Sequence, residues 1–308
     1  MESNVEKAVI TIGLPVYNGE KTIKNTLNSI LEQTFTDYQV IISDNNSTDN
    51  TAKICQEYSK KNSRITYFRQ NENIGILNNF NYVLNYANSE YFVWLAADDW
   101  WEPTFLEKNI SVLNSNKIFV GSISRVEYFG EKKDHYLVGN EVSSDKFRQK
   151  MKIRSYTDYP INPSYEERMK FYLIFGNNEN VYAVFRTEKL KKSYLRKEMA
   201  QMDGAILLKV LKFGDINIID KVLMHRSSMG MSLSFDLAYR LNQVNGHGLI
   251  GKIFPYLPFT FWCTRELGIK ILIKNLEYFI RLNIHIEKYL LRYWIDIAKK
   301  NLGKFIAK

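Results

Sequence analysis

Hydrophobic and polar residues follow two rhythms over the first hundred residues of the chain. Short apolar runs rich in β-branched residues predict strands, and apolar residues three or four positions apart predict helices between them. Strands are expected at 8–14, 40–43, 64–68 and 91–95, and helices at 22–33, 49–60 and 77–87. Strands that alternate with helices at this spacing favour βαβ units and a mostly parallel sheet. We therefore predict an α/β fold whose ligands bind beyond the carboxyl ends of the strands.

The pattern becomes less regular after this region. Residues 127–165 are charged, contain Pro160 and Pro163, and show no sustained periodicity, so we interpret them as a long excursion from the fold. Helical spacing returns at 200–213, and a further strand is expected at 216–223.

Composition places the chain among folded globular proteins. Of its 308 residues, 45% are hydrophobic and 14% aromatic, which excludes a disordered or collagen-like chain. The formal net charge is +9, and residues 236–308 hold twelve Lys and Arg against five Asp and Glu. Such a charge suits nucleic acid, an anionic membrane or a phosphorylated substrate. Here it belongs mainly to the C-terminal region, and the rest of the chain is nearly balanced.

The cysteines and the first residues indicate the compartment. Cys55 and Cys263 are too few for a disulfide framework, which favours a reduced, cytosol-facing environment. The N-terminal residues lack the basic and apolar regions of a secretory signal. There is also no run of 18 uncharged apolar residues that would predict a conventional spanning helix.

A stripe of polar side chains runs through the C-terminal region. Between Glu266 and Leu302 these side chains recur at steps of three or four residues, which predicts one continuous helix. They are Lys270, Lys274, Glu277, Arg281, His285, Lys288, Arg292, Asp296 and Lys299. Most other residues of this helix are apolar, and the preceding segment 249–263 is rich in aromatic residues and proline. The result is an amphipathic helical extension with a narrow basic stripe.

This extension predicts where the protein is held. A basic stripe on an apolar helix suits an in-plane position on an anionic membrane, so we expect residues 249–308 to bind the cytoplasmic face of the cell membrane as a peripheral or monotopic anchor. The alternative is packing on the rest of the chain or on another subunit of a homo-oligomer. Nucleic acid is not expected, because its binding proteins place basic residues in a groove with stacking aromatics.

Polar segments follow three of the predicted strands. They are Pro15-Val-Tyr-Asn18, Asp44-Asn-Asn-Ser-Thr-Asp49 and Ala96-Ala-Asp-Asp99. Because the carboxyl ends of parallel strands lie at one edge of a sheet, Asp44, Asp98 and Asp99 are expected there together. Carboxylates so gathered need a cation or hydrogen-bond donors, and oxygen ligands suit Mg²⁺ or Mn²⁺ holding a diphosphate. Taken singly, each Asp or Asn could instead be a turn former or helix cap.

These motifs, in this order, resemble the family-two inverting glycosyltransferases of GT-A fold. The segments that carry the resemblance are PVYN (15–18), SDNNSTDNT (43–51), NENIG (71–75) and LAADDWWEP (95–103). The resemblance covers about residues 8–235 and is strongest over the first hundred. It implies a GT-A catalytic domain at 1–235, with a nucleotide-binding half at about 1–126 and an acceptor half at about 127–235, followed by the C-terminal region at 236–308.

The resemblance implies a nucleotide-diphosphate sugar as donor. Carried onto this sequence, Pro15, Tyr17 and Asn18 line the nucleoside pocket. Asp44 accepts a hydrogen bond from the base, and a carboxylate there fits the N–H of uracil, which favours a UDP-sugar.

The resemblance also implies a divalent metal, Mn²⁺ or Mg²⁺, on the diphosphate. Asp98 matches the last Asp of the family's DxD motif and would ligate this metal. The first position of that motif is Ala96, so the usual contact with the donor ribose or sugar is missing, and Asp99 or another group takes it over. Trp100 and Trp101 come next and either line the acceptor or donor-sugar site or belong to the core.

The catalytic base of the family comes from a Glu-Asp motif ahead of a helix. Gln201-Met-Asp203 aligns with it, with Asp203 as the base and Met202 in place of the Glu. An inverting transfer needs one carboxylate within hydrogen-bond reach of the acceptor hydroxyl, and the alternative for Asp203 is a helix N-cap.

The segment that begins at His225 resembles the family's Tyr-Arg-x-His segment. Arg226 matches the Arg and would meet phosphate charge, whereas Ser228 stands where a His often contacts the metal or diphosphate. His225 is close enough in sequence to replace that His.

Two functions of different classes remain open at this point. The first is an inverting glycosyltransferase that moves a sugar from a nucleotide donor to a hydroxyl of a lipid-linked or polysaccharide acceptor. The second is a non-catalytic nucleotide-binding or scaffold protein on a degenerate transferase fold, suggested by Ala96, Met202 and Ser228.

Overall fold

The structure is a computed structural model that describes residues 7–130, 163–175, 178–228 and 256–284. These residues form two compact units. The first contains residues 7–130, 178–196 and 206–228, and the second contains residues 163–175, 197–205 and 256–284. The division predicted at residue 235 and most of the excursion predicted at 127–165 lie outside the described residues.

The first hundred residues alternate strand and helix as their pattern predicts. The strands are β1 (Ile10–Val16), β2 (Tyr38–Asp44), β3 (Ile65–Arg69), β4 (Tyr91–Trp94), β5 (Trp100–Trp101), β6 (Phe119–Phe129), β7 (Val184–Arg186) and β8 (Asp215–Ser227). The helices are α1 (Ile23–Leu31), α2 (Thr51–Lys61), α3 (Ile76–Tyr86), α4 (Phe105–Ser115), α5 (Tyr165–Phe175), α6 (Thr187–Lys191), α7 (Met202–Val210), α8 (Leu257–Leu267) and α9 (Ile269–Lys274). A 3-10 turn spans Asn178–Tyr182, and residues 276–284 are also helical.

The eight strands form one sheet in the order β3-β2-β1-β4-β7-β6-β8-β5. The first four strands of this order are mutually parallel, as are β6 and β8, whereas β7 and β5 run antiparallel to their neighbours. This arrangement agrees with the predicted α/β fold with a mostly parallel sheet. Sequence reasoning missed the helices α4, α5 and α6 and the strands β5, β6 and β7. The strand β6 also includes residues 127–129, which the sequence pattern places in the excursion.

The prediction that the first strand ends before Pro15 is wrong, because β1 continues through Pro15 to Val16. Gly13 faces β4, since its carbonyl accepts the N–H of Leu95. Pro15 is two residues further along β1, so its backbone nitrogen points to the same side as that of Gly13. At this level β4 has already ended, because its last residue, Trp94, pairs with Gly13. A proline there leaves no ladder hydrogen bond unmade, so it can carry β1 to the level of Asp44.

The second unit corrects the prediction of one continuous C-terminal helix. Gly268 has a φ of 97° and separates α8 from α9, a conformation that glycine adopts without a steric penalty. A turn at Asn275 then separates α9 from the helical residues 276–284. The predicted stripe beyond residue 284 lies outside the described residues. Among the described helices, none is both long and apolar enough to span a membrane.

Candidate functional site

The loop that follows β1 is held against the loop that follows β2 by a set of hydrogen bonds. The backbone N–H of Asn18 donates to Ser47 Oγ at 2.9 Å, and Asn18 Oδ1 accepts the N–H of Thr48 at 2.8 Å. Gly19 N–H donates to Thr51 Oγ1 at 2.8 Å. Asn18 has a φ of 52°, in the left-handed region that Asn tolerates better than most residues. The side chain of Asn18 is exposed, and its amide oxygen accepts hydrogen bonds from the N–H and the hydroxyl of Thr48.

The same two loops are joined again one residue further along. Glu20 N–H donates to Asp49 Oδ2 at 3.1 Å, and Glu20 Oε2 accepts the N–H of Asn50 at 3.0 Å. Asp49 Oδ1 accepts the N–H of Thr51, the first residue of α2, at 3.0 Å. Asp49 therefore supports the start of α2, which was the alternative structural interpretation of this residue.

Asp44 is the last residue of β2 and is completely buried. Its Oδ1 accepts the N–H of Ser47 at 2.8 Å, and its Oδ2 accepts the hydroxyl of Tyr67 at 2.7 Å. Burial, followed by the hydrogen bond to Asp44, raises the pKa of Tyr67, so this phenol remains a donor. Asp44 thus organises the turn that carries Ser47. Each carboxylate oxygen of Asp44 already accepts one hydrogen bond, so a nucleotide base would have to donate to a remaining lone pair of one of these oxygens.

The loop that follows β4 packs on the loop that follows β1. A Cβ atom added to Gly19 would lie 3.5 Å from Cβ of Ala97 and 2.9 Å from Cγ2 of Val16, so glycine permits this close approach. Val16 pairs in turn with Asp44 across β1 and β2. The loops after β1, β2 and β4 therefore meet at one edge of the sheet, and this edge carries Asn18, Asp44 and Asp98.

Asp99 forms a buried ion pair with Arg226. Arg226 Nε donates to Asp99 Oδ2 at 3.0 Å, the N–H of Ser227 donates to Asp99 Oδ1 at 2.9 Å, and only 2% of Asp99 is exposed. Burial raises the pKa of Asp99 and the charge of Arg226 opposes this rise. Since both oxygens accept hydrogen bonds from β8, Asp99 ties the loop after β4 to that strand.

Arg226 is enclosed by aromatic rings as well as by its carboxylate partner. Its guanidinium carbon lies 4.5 Å from the ring centre of Tyr182 and 5.9 Å from that of Tyr128. The hydroxyl of Tyr128 donates in turn to Glu179. This arrangement leaves Arg226 only 9% exposed, so it is held in place rather than presented to solvent.

Asp98 is the less buried of the two adjacent carboxylates. Burial raises the pKa of Asp98 above its usual value, and the nearby charge of Arg226 offsets part of this rise. Within the described ranges, no group of three or more His, Cys, Asp or Glu side chains is arranged to hold a metal ion. Mg²⁺ does not require such a cage, because it is usually bound through one or two carboxylates together with substrate phosphates and water. Asp98 fits that mode of binding.

A second cluster, formed by Trp100, Glu102, Glu127 and His225, was not foreseen from the sequence. The ring of His225 stacks on that of Trp100, with centroids 3.8 Å apart and planes 9° apart. His225 Nε2 lies 3.1 Å from Glu102 Oε1, and Nδ1 lies 3.3 Å from Glu127 Oε2. Both ring nitrogens thus approach carboxylates. Because β5 is only two residues long, the pairing of Trp100 with His225 could not be predicted from the sequence.

The two tryptophans after the predicted metal motif have different environments. Trp101 is 1% exposed and stacks on Phe105, so it belongs to the core. Trp100 is half-buried and lies closer to the surface. Ser228, at the position where the family often has a His, is fully buried and donates its N–H to Phe129.

Asp203 lies in the second unit, in the first turn of α7. It is half-buried, and Gln201 just before it has a φ of 65°. A carboxylate in the first turn of a helix is favoured by the helix dipole. Asp203 is the second residue of α7 and therefore lies inside the helix, not at the N-cap position that was its alternative, and its catalytic role stays a prediction.

Sequence comparison supplies the family context of this site. A family model described as Glycosyl transferase family 2 matches residues 11–193, more than half of the chain. The glycosyltransferase GlyA of Streptococcus pneumoniae is 36% identical over 98 residues, which are 32% of this chain and 14% of that protein. The putative teichuronic acid biosynthesis glycosyltransferase TuaG of Bacillus subtilis is 34% identical over 107 residues, 35% of this chain and 42% of that protein.

A third relative has a more specific name. The UDP-Glc:alpha-D-GlcNAc-diphosphoundecaprenol beta-1,3-glucosyltransferase WfgD of Escherichia coli is 33% identical over 110 residues, 36% of this chain and 43% of that protein. The chain thus matches less than half of the length of each of these three relatives.

Solved structures show the same fold. The mannosyltransferase PcManGT from Pyrobaculum calidifontis, in complex with GDP-Man and Mn²⁺, has a TM-score of 0.58 at 14% identity and covers 98% of this chain and 81% of its own. TarS 1–349 of S. aureus, in complex with UDP-GlcNAc, has a TM-score of 0.55 at 16% identity and covers 89% of this chain and 81% of its own. These similarities confirm the predicted GT-A fold.

Proposed function

Because the chain belongs to glycosyl transferase family 2, we propose that it moves a sugar from a nucleotide-diphosphate donor to a hydroxyl of a lipid-linked or polysaccharide acceptor, with inversion. The observation that carries this proposal is the meeting of the loops after β1, β2 and β4 at one edge of the sheet. The hydrogen bonds between Asn18 and Thr48 and the approach of Gly19 to Ala97 hold these loops together. Ligands of such sheets bind at this edge.

The donor nucleoside is proposed to bind where the first two loops meet. Pro15, Tyr17 and Asn18 supply a rigid strand end, an aromatic ring and a fixed amide. Asp44 would accept a hydrogen bond from the base, and we propose uracil as that base because its ring N–H can donate to a carboxylate. The named ligands of the neighbours include both UDP-GlcNAc and GDP-Man, so they support a nucleotide sugar without choosing the base.

Asp98 is proposed to hold a divalent metal, Mn²⁺ or Mg²⁺, together with the donor phosphates. When bound, such a metal neutralises the charge that develops on the leaving diphosphate. Asp99 is left out of this site, because the negative charge that a cation would require is already paired with the guanidinium of Arg226. We propose that Arg226 assists the phosphates mainly by fixing Asp99, and therefore the loop that presents Asp98.

Asp203 is proposed as the general base that takes the proton from the acceptor hydroxyl. One carboxylate suffices for an inverting transfer, because the acceptor oxygen attacks the sugar carbon as the diphosphate leaves. The relative WfgD is named for transfer to a diphosphoundecaprenol-linked sugar, which supports a lipid-linked acceptor. We also propose that the protein acts at the cytoplasmic face of the cell membrane.

Nucleotide release from a panel of UDP- and GDP-sugars, with a lipid-diphosphate sugar as acceptor, tests this function. Wild type should release nucleotide, and Asp203→Asn should lower kcat by about 100-fold or more, the usual contribution of a general base. Asp220→Asn, a substitution in a largely exposed carboxylate of β8, is the matched control and should retain full activity. Undiminished turnover in Asp203→Asn would remove Asp203 as the base.

A non-catalytic nucleotide-binding protein is the second candidate. It is favoured by Ala96 at the first position of the metal motif and by the buried Ser228 at the family's His position. This alternative predicts that donors bind without nucleotide release across the whole panel.

A further inference from the structure

Six large apolar side chains lie exposed on the C-terminal helices of the second unit. They are Phe261, Ile269, Ile273, Leu276, Ile280 and Ile284, each between 47% and 65% exposed. The described part of the chain has thirteen exposed side chains of this kind, so nearly half of them come from residues 256–284. Clusters of exposed apolar residues on a folded protein usually mark a surface that binds another protein, a membrane or a ligand.

Five of these side chains follow a helical line. The steps from Ile269 to Ile284 are four, three, four and four residues, the spacing of one helix face. Ile269 and Ile273 belong to α9, and Leu276, Ile280 and Ile284 belong to the helical residues that follow the turn at Asn275. We call the line of Ile269, Ile273, Leu276, Ile280 and Ile284 the outer apolar line.

The opposite side of the same segment already forms the core of the second unit. Its buried side chains are Phe259, Cys263, Ile271, Tyr278, Phe279 and Leu282. Ring contacts join Phe259 to Phe279 and Phe279 to Tyr278. Because this inner side satisfies the packing of the unit, the outer apolar line is a second apolar surface that the described fold leaves open to solvent.

Basic side chains run beside the outer apolar line. Lys270, Lys274 and Arg281 each follow a residue of the line by one position, and both lysines are exposed. Lys274 pairs with Glu166 of α5, and Arg281 pairs with Glu277 at 3.0 Å. Two of the three charges are thus partly compensated locally, and binding by this surface depends on its apolar residues more than on charge alone.

We infer that the outer apolar line is an interfacial membrane surface, with Ile273, Leu276 and Ile280 among the acyl chains and Lys270 and Lys274 at the level of anionic headgroups. This inference rests on the proposed function, since it specifies which residues hold the transferase at the membrane. A second copy of the chain fits less well, because protein interfaces are depleted in lysine, and Lys270 and Lys274 lie beside the line. Helices that lie on lipid, by contrast, carry Lys and Arg beside their apolar residues.

Partitioning of the full chain into detergent-free vesicles tests this inference. We expect binding to vesicles of phosphatidylglycerol and phosphatidylcholine in equal parts, and weaker binding to phosphatidylcholine alone. The double variant Ile273→Asp/Ile280→Asp should lower the partition coefficient about tenfold or more, since each isoleucine loses its transfer to an apolar phase. Ile118→Asp is the matched control, because Ile118 is 53% exposed on the first unit and should leave partitioning unchanged.

A spectroscopic variant makes the test independent of that double substitution. Cys55 and Cys263 are buried, so an environment-sensitive thiol dye should label Ile273→Cys or Ile118→Cys selectively. The dye at position 273 should shift to shorter emission wavelengths on addition of anionic vesicles, and the dye at position 118 should not.

Two results would overturn the inference. One is equal partitioning of wild type and the double variant, or no dye shift at position 273. The other is a vesicle-free dimer in sedimentation analysis that the double variant dissolves, because the occupant would then be a second copy. Vesicle binding is measured without donor or acceptor, so its failure would leave the proposed sugar transfer untouched.

Discussion

The ion pair of Asp99 and Arg226 gives the clearest expectation at the scale of single residues. Arg226→Ala would leave a carboxylate that is 2% exposed without its guanidinium partner. Removal of one member of a buried ion pair costs about 3–5 kcal/mol, because the other charge stays desolvated. We expect a loss of stability of that size, measured by urea unfolding of the full chain.

The ion pair of Arg125 and Asp220 provides the control for this substitution. This pair joins β6 to β8 with a distance of 2.7 Å between Arg125 Nε and Asp220 Oδ1, and its side chains are 64% and 79% exposed. Arg125→Ala should therefore change the free energy of unfolding by less than about 1 kcal/mol. Equal effects of the two alanine substitutions would show that Arg226 is not buried as described.

Single residues also show where sequence reasoning reaches its limit. Asp44, Asp98 and Asp99 follow successive strands, so their common sheet edge could be predicted from chain order. The role of Asp99 could not, because its partners on β8 lie 127 and 128 positions away in the sequence. The stack of Trp100 on His225 could not be predicted for a similar reason, because the two residues are far apart in sequence and are brought together by the pairing of a two-residue strand.

At the scale of elements, the turn before β8 carries a specific constraint. A Cβ added to Gly214 would lie 2.4 Å from the carbonyl oxygen of Ile118, which also accepts the N–H of Asp215 at 3.1 Å. The contacting atom belongs to the backbone of Ile118, which cannot move aside as easily as the end of a flexible side chain. Gly214→Ala should therefore shift the start of the β6–β8 ladder and cost about 1–3 kcal/mol in unfolding experiments, the usual range for overpacking.

Lys117→Ala is the control for the turn. Lys117 is exposed and precedes the same carbonyl, so its truncation should stay within about 0.5 kcal/mol of wild type. If Gly214→Ala proves as stable as this control, then the close approach of the two segments is not present in solution.

The elements themselves were predictable to different degrees. The seven strands and helices of the first hundred residues lie within two residues of their predicted bounds, because each has a clear apolar period and a polar loop at its ends. The strands β5 and β7, of two and three residues, are too short to show a period. The break at Gly268 was missed because the stripe of polar residues continues across it with unchanged spacing.

At the scale of the whole molecule, the first unit holds the predicted donor and metal residues and the second unit holds Asp203 and the outer apolar line. This division separates two kinds of experiment. Donor and metal binding should depend on substitutions in the first unit, whereas vesicle binding should depend on substitutions in residues 256–284.

Calorimetric binding of UDP-sugars to the full chain, in Mn²⁺ and in EDTA, tests whether a metal assists donor binding at this edge of the sheet. We expect wild type to bind a UDP-sugar in Mn²⁺ and to lose about tenfold or more in affinity in EDTA. Asp98→Asn should show the weaker affinity under both conditions, because it lacks the proposed metal ligand. Binding that is equally tight in Mn²⁺ and EDTA, and unchanged in Asp98→Asn, would contradict a metal-assisted donor site at this edge of the sheet.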